Sequence, residues 1–311
     1  MPEPLAEETL FLHNAEIGLG TWSWGDRTMW NYGHGYAEPD IEQAFQSSVT
    51  AGINLMDTAE VYGGGRSERF LGQFIKTSPT PILVATKFMP YPWRLNRGAL
   101  MHSLDLSLER LGLDHVDLYQ IHWPFPPMPV EFWVEGLAKA VKSGKTRTAG
   151  VSNYNKIQMQ RAYTILSKYN LPLASNQVEY HLLNRTVEKN GLLDRCKELG
   201  VRLIAYSPLA KGLLTGKYTL ESPPPGMRSR QPMGRMKALP GLIALMTEIG
   251  KGHGDRIPSQ VALNWLICKG ALPIPGAKNA KQAEQNAGAK GWRLTLEEVK
   301  ALDDASDKFT R

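Results

Sequence analysis

The chain has 311 residues, of which 42% are hydrophobic and 21% are charged, and its formal net charge is +6. These proportions are ordinary for a globular protein and exclude disordered and fibrous classes. The apolar stretches fall well short of the roughly 20 residues that a membrane-spanning helix needs. The basic residues are scattered and lack the clustering typical of nucleic-acid binders. We therefore expect a single globular domain over residues 1–311.

The N-terminal segment and the cysteines indicate a reducing compartment. The segment MPEPLAEETLFLHNAE carries Pro and Glu where a secretory signal carries Lys or Arg before an apolar block, and it is too acidic for a transit peptide. We expect a cytoplasmic protein, although a plastid protein already trimmed of its transit peptide would have the same features. Cys196 and Cys268 have no Cys or His neighbour at metal-ligand spacing, so both are predicted to be buried thiols without a metal.

Short β-branched runs alternate with longer amphipathic stretches along the whole chain. The predicted strands are residues 16–19, 54–57, 82–87, 116–122, 146–151, 174–178, 202–206 and 271–274. The predicted helices between them are residues 41–51, 66–75, 97–111, 129–143, 156–169, 187–199 and 260–269. Eight strands interleaved with helices are typical of a closed (β/α)8 TIM barrel or of an open doubly wound sheet.

The first strand-to-helix turn helps to separate these two α/β architectures. A doubly wound nucleotide-binding sheet carries G-x-G-x-x-G there, whereas this chain has Gly18 and Gly20 followed by Ser23 in place of the third glycine. The even spacing of the eight units favours the TIM barrel. A long loop after strand 7, rich in Pro, Gly and Arg over residues 207–238, suggests a functional loop or lid. Two extra C-terminal helices are predicted at residues 280–287 and 296–307.

Four polar residues are predicted to meet at one face of the barrel, because the loops after the strands converge there. Asp57, Lys87 and His122 end strands two, three and four, and Tyr62 lies five residues past Asp57. A cationic Lys87 near the Tyr62 hydroxyl would lower its pKa from the usual value of about 10. Asp57 would keep Lys87 charged, and His122 would orient a carbonyl oxygen. This set predicts a proton donor for reduction of a carbonyl by hydride.

Each of these residues also has a plainer explanation. Asp57 could cap a helix, His122 could be a structural histidine, and Tyr62 could be a surface residue of a loop. The glycine run at residues 63–65 suggests a phosphate loop, but no G-K-[ST] follows it, so a flexible turn is the better interpretation. Four further histidines have no partner at any motif spacing and are predicted to be structural or exposed: His102, His115, His181 and His253.

Seven strings, in order and spread over nearly the whole chain, resemble those of the aldo-keto reductase superfamily. They are DTAEVYG (57–63), ATKF (85–88), YQIHWP (119–124), GVSNY (150–154), NQVEY (176–180), AYSPL (205–209) and IPGAKN (274–279). They are similar in particular to the branch of potassium-channel β-subunits, pyridoxal reductases and plastid-type oxidoreductases of plants and cyanobacteria. The resemblance implies a (β/α)8 barrel, NADPH/NADP+ as cofactor, and Asp57, Tyr62, Lys87 and His122 as a catalytic tetrad.

The resemblance also implies the residues that contact the cofactor. They are Gly20, Thr21 and Trp22 beside the reaction centre; Ser152, Asn153 and Gln177 at the nicotinamide carboxamide; Tyr206 on the nicotinamide ring; Ser207, Leu209, Lys211, Gly212 and Leu213 at the pyrophosphate; and Gly276, Lys278, Gln282, Gln285 and Asn286 at the adenosine end. A cation at Lys278 would favour NADPH over NADH by pairing with the 2′-phosphate. Gln285 departs from a common glutamate, but its amide oxygen could still accept from the adenine amine.

These observations predict an NADPH-dependent reductase of small aldehydes or ketones, with Trp22, Trp93 and Trp123 as walls of the substrate pocket. The segments around Trp93 and Trp123 could instead only pack the loops together. Pyridoxal, methylglyoxal and lipid-derived aldehydes are open as substrates. A regulatory or scaffold subunit that binds NADPH and turns over slowly is an alternative, as the channel-associated relatives suggest. A short-chain dehydrogenase is excluded, because its Tyr-x-x-x-Lys pair occurs nowhere in the chain.

Overall fold

The protein is built around eight parallel strands that pair in chain order. The computed structural model describes residues 7–225 and 233–309. The strands are β1 (Leu19–Gly20), β2 (Leu55–Asp57), β3 (Leu83–Phe88), β4 (Val116–Ile121), β5 (Thr146–Ser152), β6 (Leu173–Glu179), β7 (Arg202–Tyr206) and β8 (Leu272–Pro273). Each strand is hydrogen-bonded in parallel to the next one along the chain.

The first strand also bonds to the chain around the last one, which closes the sheet. The Gly18 amide donates to the Pro273 carbonyl and the Gly20 amide to the Pro275 carbonyl, each at 3.0 Å. The approach is close enough that a Cβ atom on Gly20 would lie 2.8 Å from the Ile274 carbonyl oxygen, so glycine is required there. The predicted (β/α)8 TIM barrel is confirmed.

Helices connect the strands and extend beyond β8. They are α1 (Leu10–Asn14), α2 (Glu38–Thr50), α3 (Arg66–Ile75), α4 (Gly98–Leu111), α5 (Val130–Lys142), α6 (Lys156–Ser167), α7 (Thr186–Lys189), α8 (Leu192–Glu198), α9 (Met233–Gly252), α10 (Pro258–Cys268), α11 (Ala280–Ala287) and α12 (Leu296–Ser306). The two extra C-terminal helices, α11 and α12, lie where the sequence predicts them. In the part of the chain that is described, no helix has the length and apolar composition required to cross a bilayer.

Two helical regions differ from the sequence-based prediction. The helix predicted over residues 187–199 is divided into α7 and α8, because Gly191 between them has a φ of 72°. The loop predicted over residues 207–238 is also wrong in its extent: it contains a 3-10 turn at Ala210–Thr215, and α9 begins at Met233. The sequence does not predict α9 because Pro240, a residue that usually breaks a helix, lies inside it. Residues 226–232 of that predicted loop lie outside the described residues.

Two separate apolar layers hold the barrel together. The interior is filled by a small cluster that includes Leu55, Ala85 and Leu118 from three adjacent strands, with Leu12 of α1 packed on it. A much larger cluster lies between the strands and the surrounding helices. Because the interior cluster occupies the early parts of the strands, polar side chains can occupy the later parts, toward the carboxyl ends.

Helices α3 and α4 approach each other closely at Gly72. A Cβ atom added there would collide with the backbone of Leu111, the last residue of α4. We expect Gly72→Ala to destabilise the protein by about 2 kcal/mol, because the backbone of α4 must move to admit the methyl group. Urea denaturation measures this difference in the free energy of unfolding.

The matched control is Gly241→Ala in α9, where no atom lies within 4 Å of the added methyl group. Because alanine is the better helix former, this control should raise the stability by up to about 1 kcal/mol. Equal effects of the two substitutions would contradict the close packing of α3 on α4.

Candidate active site

A cleft of about 630 Å³ opens at the carboxyl ends of the strands. Residues from the strand ends and the following loops line it, and those predicted from the sequence are Gly20, Trp22, Asp57, Tyr62, His122, Trp123, Ser152, Asn153, Gln177, Tyr206, Ser207, Leu209, Lys211, Gly212, Gly276, Lys278, Gln282, Gln285 and Asn286. The cleft therefore brings together the predicted polar residues of the reaction centre and those predicted to bind a nucleotide.

Lys87 lies fully buried beneath this cleft and connects two of the predicted residues. Its Nζ atom donates to Asp57 Oδ1 at 2.5 Å, to the Thr58 carbonyl at 2.8 Å and to the Tyr62 hydroxyl at 3.5 Å. Asp57 ends β2, and Tyr62 begins the 3-10 turn Tyr62–Gly64, in which Gly63 and Gly64 have positive φ. The glycine run thus serves as a tight turn that returns the phenol toward Lys87.

The pKa of Tyr62 differs in direction from the sequence-based prediction. Burial, together with the negative charge of Asp57, raises the pKa of Tyr62 well above its usual value. Lys87 does not reverse this effect, since its charge is compensated by Asp57 at 2.5 Å and burial lowers its own pKa. The expected lowering of the phenol pKa was wrong, and Tyr62 holds its proton at neutral pH, which is the form that a proton donor requires.

His122 follows β4 and faces the phenol. Its imidazole is perpendicular to the Tyr62 ring, with centroids 5.7 Å apart. Burial, with a contribution from the charge of Lys87, lowers the pKa of His122 well below its usual value, so the imidazole is neutral. Its Nδ1 atom is buried and has no hydrogen-bond partner among the described residues. A neutral imidazole retains one N–H donor, which suits it to bind a carbonyl oxygen.

Two side-chain amides lie beside the tetrad residues. Asn153 Nδ2 donates to the His122 carbonyl at 3.0 Å, and its Oδ1 atom accepts from the Tyr206 hydroxyl at 3.0 Å. Gln177 Nε2 donates to Asp57 Oδ2 at 2.8 Å. Ser152, which ends β5, donates from its hydroxyl to the Gln177 carbonyl. These polar groups form one hydrogen-bonded network with the Asp57 carboxylate and the His122 carbonyl.

The opposite end of the cleft carries a cation on an aromatic wall. Lys278 Nζ donates to the Trp30 carbonyl at 2.9 Å and lies 4.2 Å from the centroid of the Tyr36 ring. Two residues of α11 also contact this segment. Gln282 Oε1 accepts from the backbone amide of Lys278, and Asn286 Nδ2 donates to the Gly276 carbonyl. This end therefore combines a positive charge with amide groups, as the adenosine end of a phosphorylated nucleotide requires.

The backbone between the two ends adopts an unusual conformation. Ser207, Ala210 and Lys211 have φ values of 50°, 50° and 55°, and Gly212 has a φ of 97°. Left-handed conformations are uncommon for residues other than glycine, and they cluster at ligand-binding sites. These residues belong to the segment that the sequence predicts to hold the pyrophosphate.

Besides Lys87, which lies beneath the cleft, three predicted site residues do not line it. Trp93 is 72% exposed, and its ring stacks on that of Tyr91 with centroids 4.5 Å apart. It does not line the cleft, and its place in the substrate pocket stays a prediction. The neighbouring Arg94 guanidinium bonds to Glu60 and to the Met89 carbonyl. Thr21 and Leu213 are buried below the surface of the cleft, and the Thr21 hydroxyl donates to the Asp57 carbonyl.

Several residues of the cleft were not predicted. Trp30 packs edge-on against Trp22, with ring centroids 5.5 Å apart, and Val61, Met89 and Glu179 also line the cleft. All four follow or end a strand of the barrel, so the rule that located Tyr62 could have found them. Neither free cysteine takes part, and burial raises the pKa of Cys196 to about 12. Among the described residues, no group of His, Cys, Asp or Glu side chains could hold a metal ion.

A closed barrel with these side chains at its carboxyl face defines a class of oxidoreductases. Residues 16–307 match the family model "Aldo/keto reductase family", and the chain belongs to this family. It is 41% identical over 303 residues to the chloroplastic pyridoxal reductase of Arabidopsis thaliana, an alignment that covers 93% of this chain and 82% of the relative. It is 32% identical to L-glyceraldehyde 3-phosphate reductase of Escherichia coli O157:H7, covering 92% and 87% of the two chains.

Solved structures agree with this assignment. The glycerol dehydrogenase of Gluconobacter oxydans superposes with a TM-score of 0.82 at 29% identity, covering 94% of this chain and 92% of that one. An aldo-keto reductase of Klebsiella pneumoniae, solved in complex with NADPH, gives a TM-score of 0.73 at 29% identity, covering 93% and 90%. The family predicted from the seven strings is confirmed.

The imidazole of His122 should remain neutral at the pH near 6.5 at which an ordinary histidine titrates, because burial and the Lys87 charge both lower its pKa. Nitrogen-15 NMR of the imidazole rings, with signals assigned by a His122→Asn variant, follows this titration. The exposed His34 serves as the reference. In Lys87→Met the pKa of His122 should rise; a midpoint near 6.5 in the wild type would contradict the buried, neutral state.

Proposed function

We propose that this protein is an NADPH-dependent reductase of small aldehydes and ketones in which Tyr62 donates the proton. One observation carries the proposal. The Tyr62 hydroxyl lies 3.5 Å from the ammonium of Lys87, which is held in turn by Asp57, and Tyr62 lines a cleft of about 630 Å³. We therefore propose the four residues of the predicted tetrad, Asp57, Tyr62, Lys87 and His122, as the catalytic residues.

The residues of the cleft fit NADPH from end to end. The amides of Asn153 and Gln177 suit a nicotinamide carboxamide, and the ring of Tyr206 suits a stacked pyridine. The left-handed turn around Lys211 suits a pyrophosphate, and the cation of Lys278 suits the 2′-phosphate that distinguishes NADPH from NADH. The NADPH held by the K. pneumoniae relative supports this choice of cofactor.

A bound nicotinamide would supply the hydride. The side chains of the protein orient the carbonyl group and supply the proton. The neutral imidazole of His122 donates a hydrogen bond that orients the carbonyl oxygen near Tyr62. As that oxygen gains negative charge, Tyr62 transfers its phenolic proton to it. The ammonium of Lys87 stabilises the phenolate left behind, and Asp57 holds Lys87 in the charged form. Because the pKa of Tyr62 is raised, the phenol stays protonated until negative charge develops on the carbonyl oxygen.

The walls around Tyr62 indicate a substrate with an apolar body. Trp22 lies 6.3 Å from Tyr62 between ring centroids, and Trp123 stacks on Phe125 at the rim. Aromatic rings bury planar ligands well. Pyridoxal is therefore the first substrate to test, since a relative of 41% identity is a pyridoxal reductase, followed by 4-nitrobenzaldehyde and methylglyoxal.

Replacing Tyr62 with Phe should lower kcat at least about 100-fold, because it removes the transferred proton while preserving the ring. NADPH oxidation with the best of the three aldehydes measures the rate, and quenching of tryptophan fluorescence measures NADPH binding, which should be unchanged. Tyr91→Phe is the matched control, since it removes a phenol hydroxyl outside the cleft.

Full activity in Tyr62→Phe would reject the assigned proton donor. A wild-type enzyme that retains NADPH but reduces none of these aldehydes would reject the reductase and favour the NADPH-binding regulatory subunit. A wild-type protein that binds no NADPH would reject both functions.

Replacing Lys278 with Met should weaken NADPH binding about 10- to 100-fold, because a charge-assisted hydrogen bond contributes roughly 1.5–3 kcal/mol. Binding of NADH should change little, since NADH lacks the 2′-phosphate. Lys281→Met is the control: it removes the same charge from an exposed position three residues away. Equal losses for both nucleotides would contradict the assignment of Lys278 to the 2′-phosphate.

A further inference from the structure

A row of residues crosses the interior of the barrel at the level of Lys87. Lys87 on β3 is in register with Gln120 on β4, Gln120 with Gly150 on β5, and Gly150 with Ser175 on β6. The side chains of Lys87, Gln120 and Ser175 are all fully buried. A neutral amide in such a position is costly unless its donors and acceptors are bonded, so the partners of Gln120 are informative.

Gln120 bonds to the carboxylate that holds Lys87. Its Nε2 atom donates to Asp57 Oδ2 at 3.4 Å, while its Oε1 atom accepts from Ser175 Oγ and from Gln177 Nε2, each at 3.4 Å. If the Gln120 amide were turned over, its oxygen would face the negatively charged Asp57 carboxylate. Its NH2 group would then face the NH2 group of Gln177, and both contacts would be repulsive. The surroundings therefore determine which end of the amide faces Asp57.

The neighbouring strand provides the space for this amide. A Cβ atom on Gly150 would collide with Ser175 Oγ and would lie 2.9 Å from Gln120 Cγ. Gly150 lies at a shift of register between β5 and β6, inside a strand that continues to Ser152. The missing side chain thus permits Gln120 to reach across the barrel toward Asp57.

We propose that Gln120 is a positioning residue, whose buried amide holds the Asp57 carboxylate in the orientation that presents Oδ1 to Lys87. Oδ1 of Asp57 accepts from Lys87, while Oδ2 accepts from Gln120 and Gln177. With both oxygens bonded, rotation of the carboxylate away from the ammonium would break these hydrogen bonds, and the retained contact keeps on Lys87 the charge that stabilises the Tyr62 phenolate. This role rests on the proposed function, because it acts on the proposed proton donor.

The experiment compares Gln120→Met with Leu118→Met. Methionine matches the length of glutamine without its hydrogen-bonding atoms. Leu118 lies two residues earlier on β4, is equally buried and belongs to the apolar interior, so its conservative exchange is the matched control. We expect Gln120→Met to lower kcat about tenfold with the KM of the aldehyde unchanged, whereas Leu118→Met should leave both values unchanged. Gly150→Ala should reproduce the effect of Gln120→Met.

The pH dependence separates a positioning role from a merely structural one. The ionisable groups that face Lys87 are Asp57, Tyr62, His122 and Glu68. Burial lowers the pKa of Lys87 and Asp57 raises it, so a weakened Asp57 contact should lower that pKa further. The alkaline limb of kcat should therefore move to lower pH in Gln120→Met and stay in place in Leu118→Met. Carbon-13 NMR of the Lys87 ε-carbon, assigned with Lys87→Met, should show the same shift without turnover.

The outcomes distinguish this inference from the proposed function. An active wild-type enzyme with unchanged kcat and unchanged alkaline limb in Gln120→Met overturns the role of Gln120 alone. Equal losses in Gln120→Met and Leu118→Met, with equal falls in the unfolding temperature, also overturn it. If the wild type reduces no aldehyde, the proposed function fails, and the NMR titration of Lys87 still decides whether Gln120 positions Asp57.

Discussion

The buried contact between the Lys87 ammonium and the Asp57 carboxylate is the interaction on which the rest of the site depends. Their side chains are 0% and 4% exposed, and the charged atoms are 2.5 Å apart. Removing two charges from water costs several kcal/mol per ion, which good geometry and further hydrogen bonds must offset. The three acceptors around Lys87, which are Asp57, the Thr58 carbonyl and the Tyr62 hydroxyl, match the three N–H groups of an ammonium. The phenol is thus one of the partners that this cation requires.

The barrel makes this contact possible because apolar side chains fill its interior at one level of the strands and polar side chains lie at another, closer to the cleft. On β4, Leu118 belongs to the apolar interior, Gln120 lies in the polar row, and His122 follows at the cleft. The side chains of a strand alternate between its two faces, so these three residues point to the same side. Such a strand therefore contributes to the apolar core in its first part and to the site near its carboxyl end, as strands of parallel barrels do in general.

The cleft itself combines rigid walls with a strained turn. Asn153, Ser207, Ala210 and Lys211 all have positive φ, and each left-handed residue other than glycine costs about 1–3 kcal/mol. Such conformations persist because the surrounding packing determines them. Their concentration along one side of the cleft is consistent with a binding surface shaped by the backbone. The aromatic groups near Lys278 and around Tyr62 complete the two ends.

The sequence by itself determined the order and type of most elements, since these follow from local periodicity and from glycines that end helices. Arg202–Tyr206, Arg66–Ile75 and Ala280–Ala287 have the bounds that the pattern predicts. The same pattern located Asp57, Lys87 and His122, because each of them lies where a β-branched run ends. The seven family strings then identified the family.

Tertiary structure decided what local patterns do not encode. Helix α9 contains Pro240 and Gly241, and its buried face packs on neighbouring helices that are adjacent only in the folded chain. Trp93 is exposed, whereas its neighbour Arg94 is held by Glu60 from another loop. The pKa of Tyr62 rises because burial and the charge of Asp57 both raise it. Burial and the balance of surrounding charges depend on contacts between distant segments, and only the folded barrel creates them.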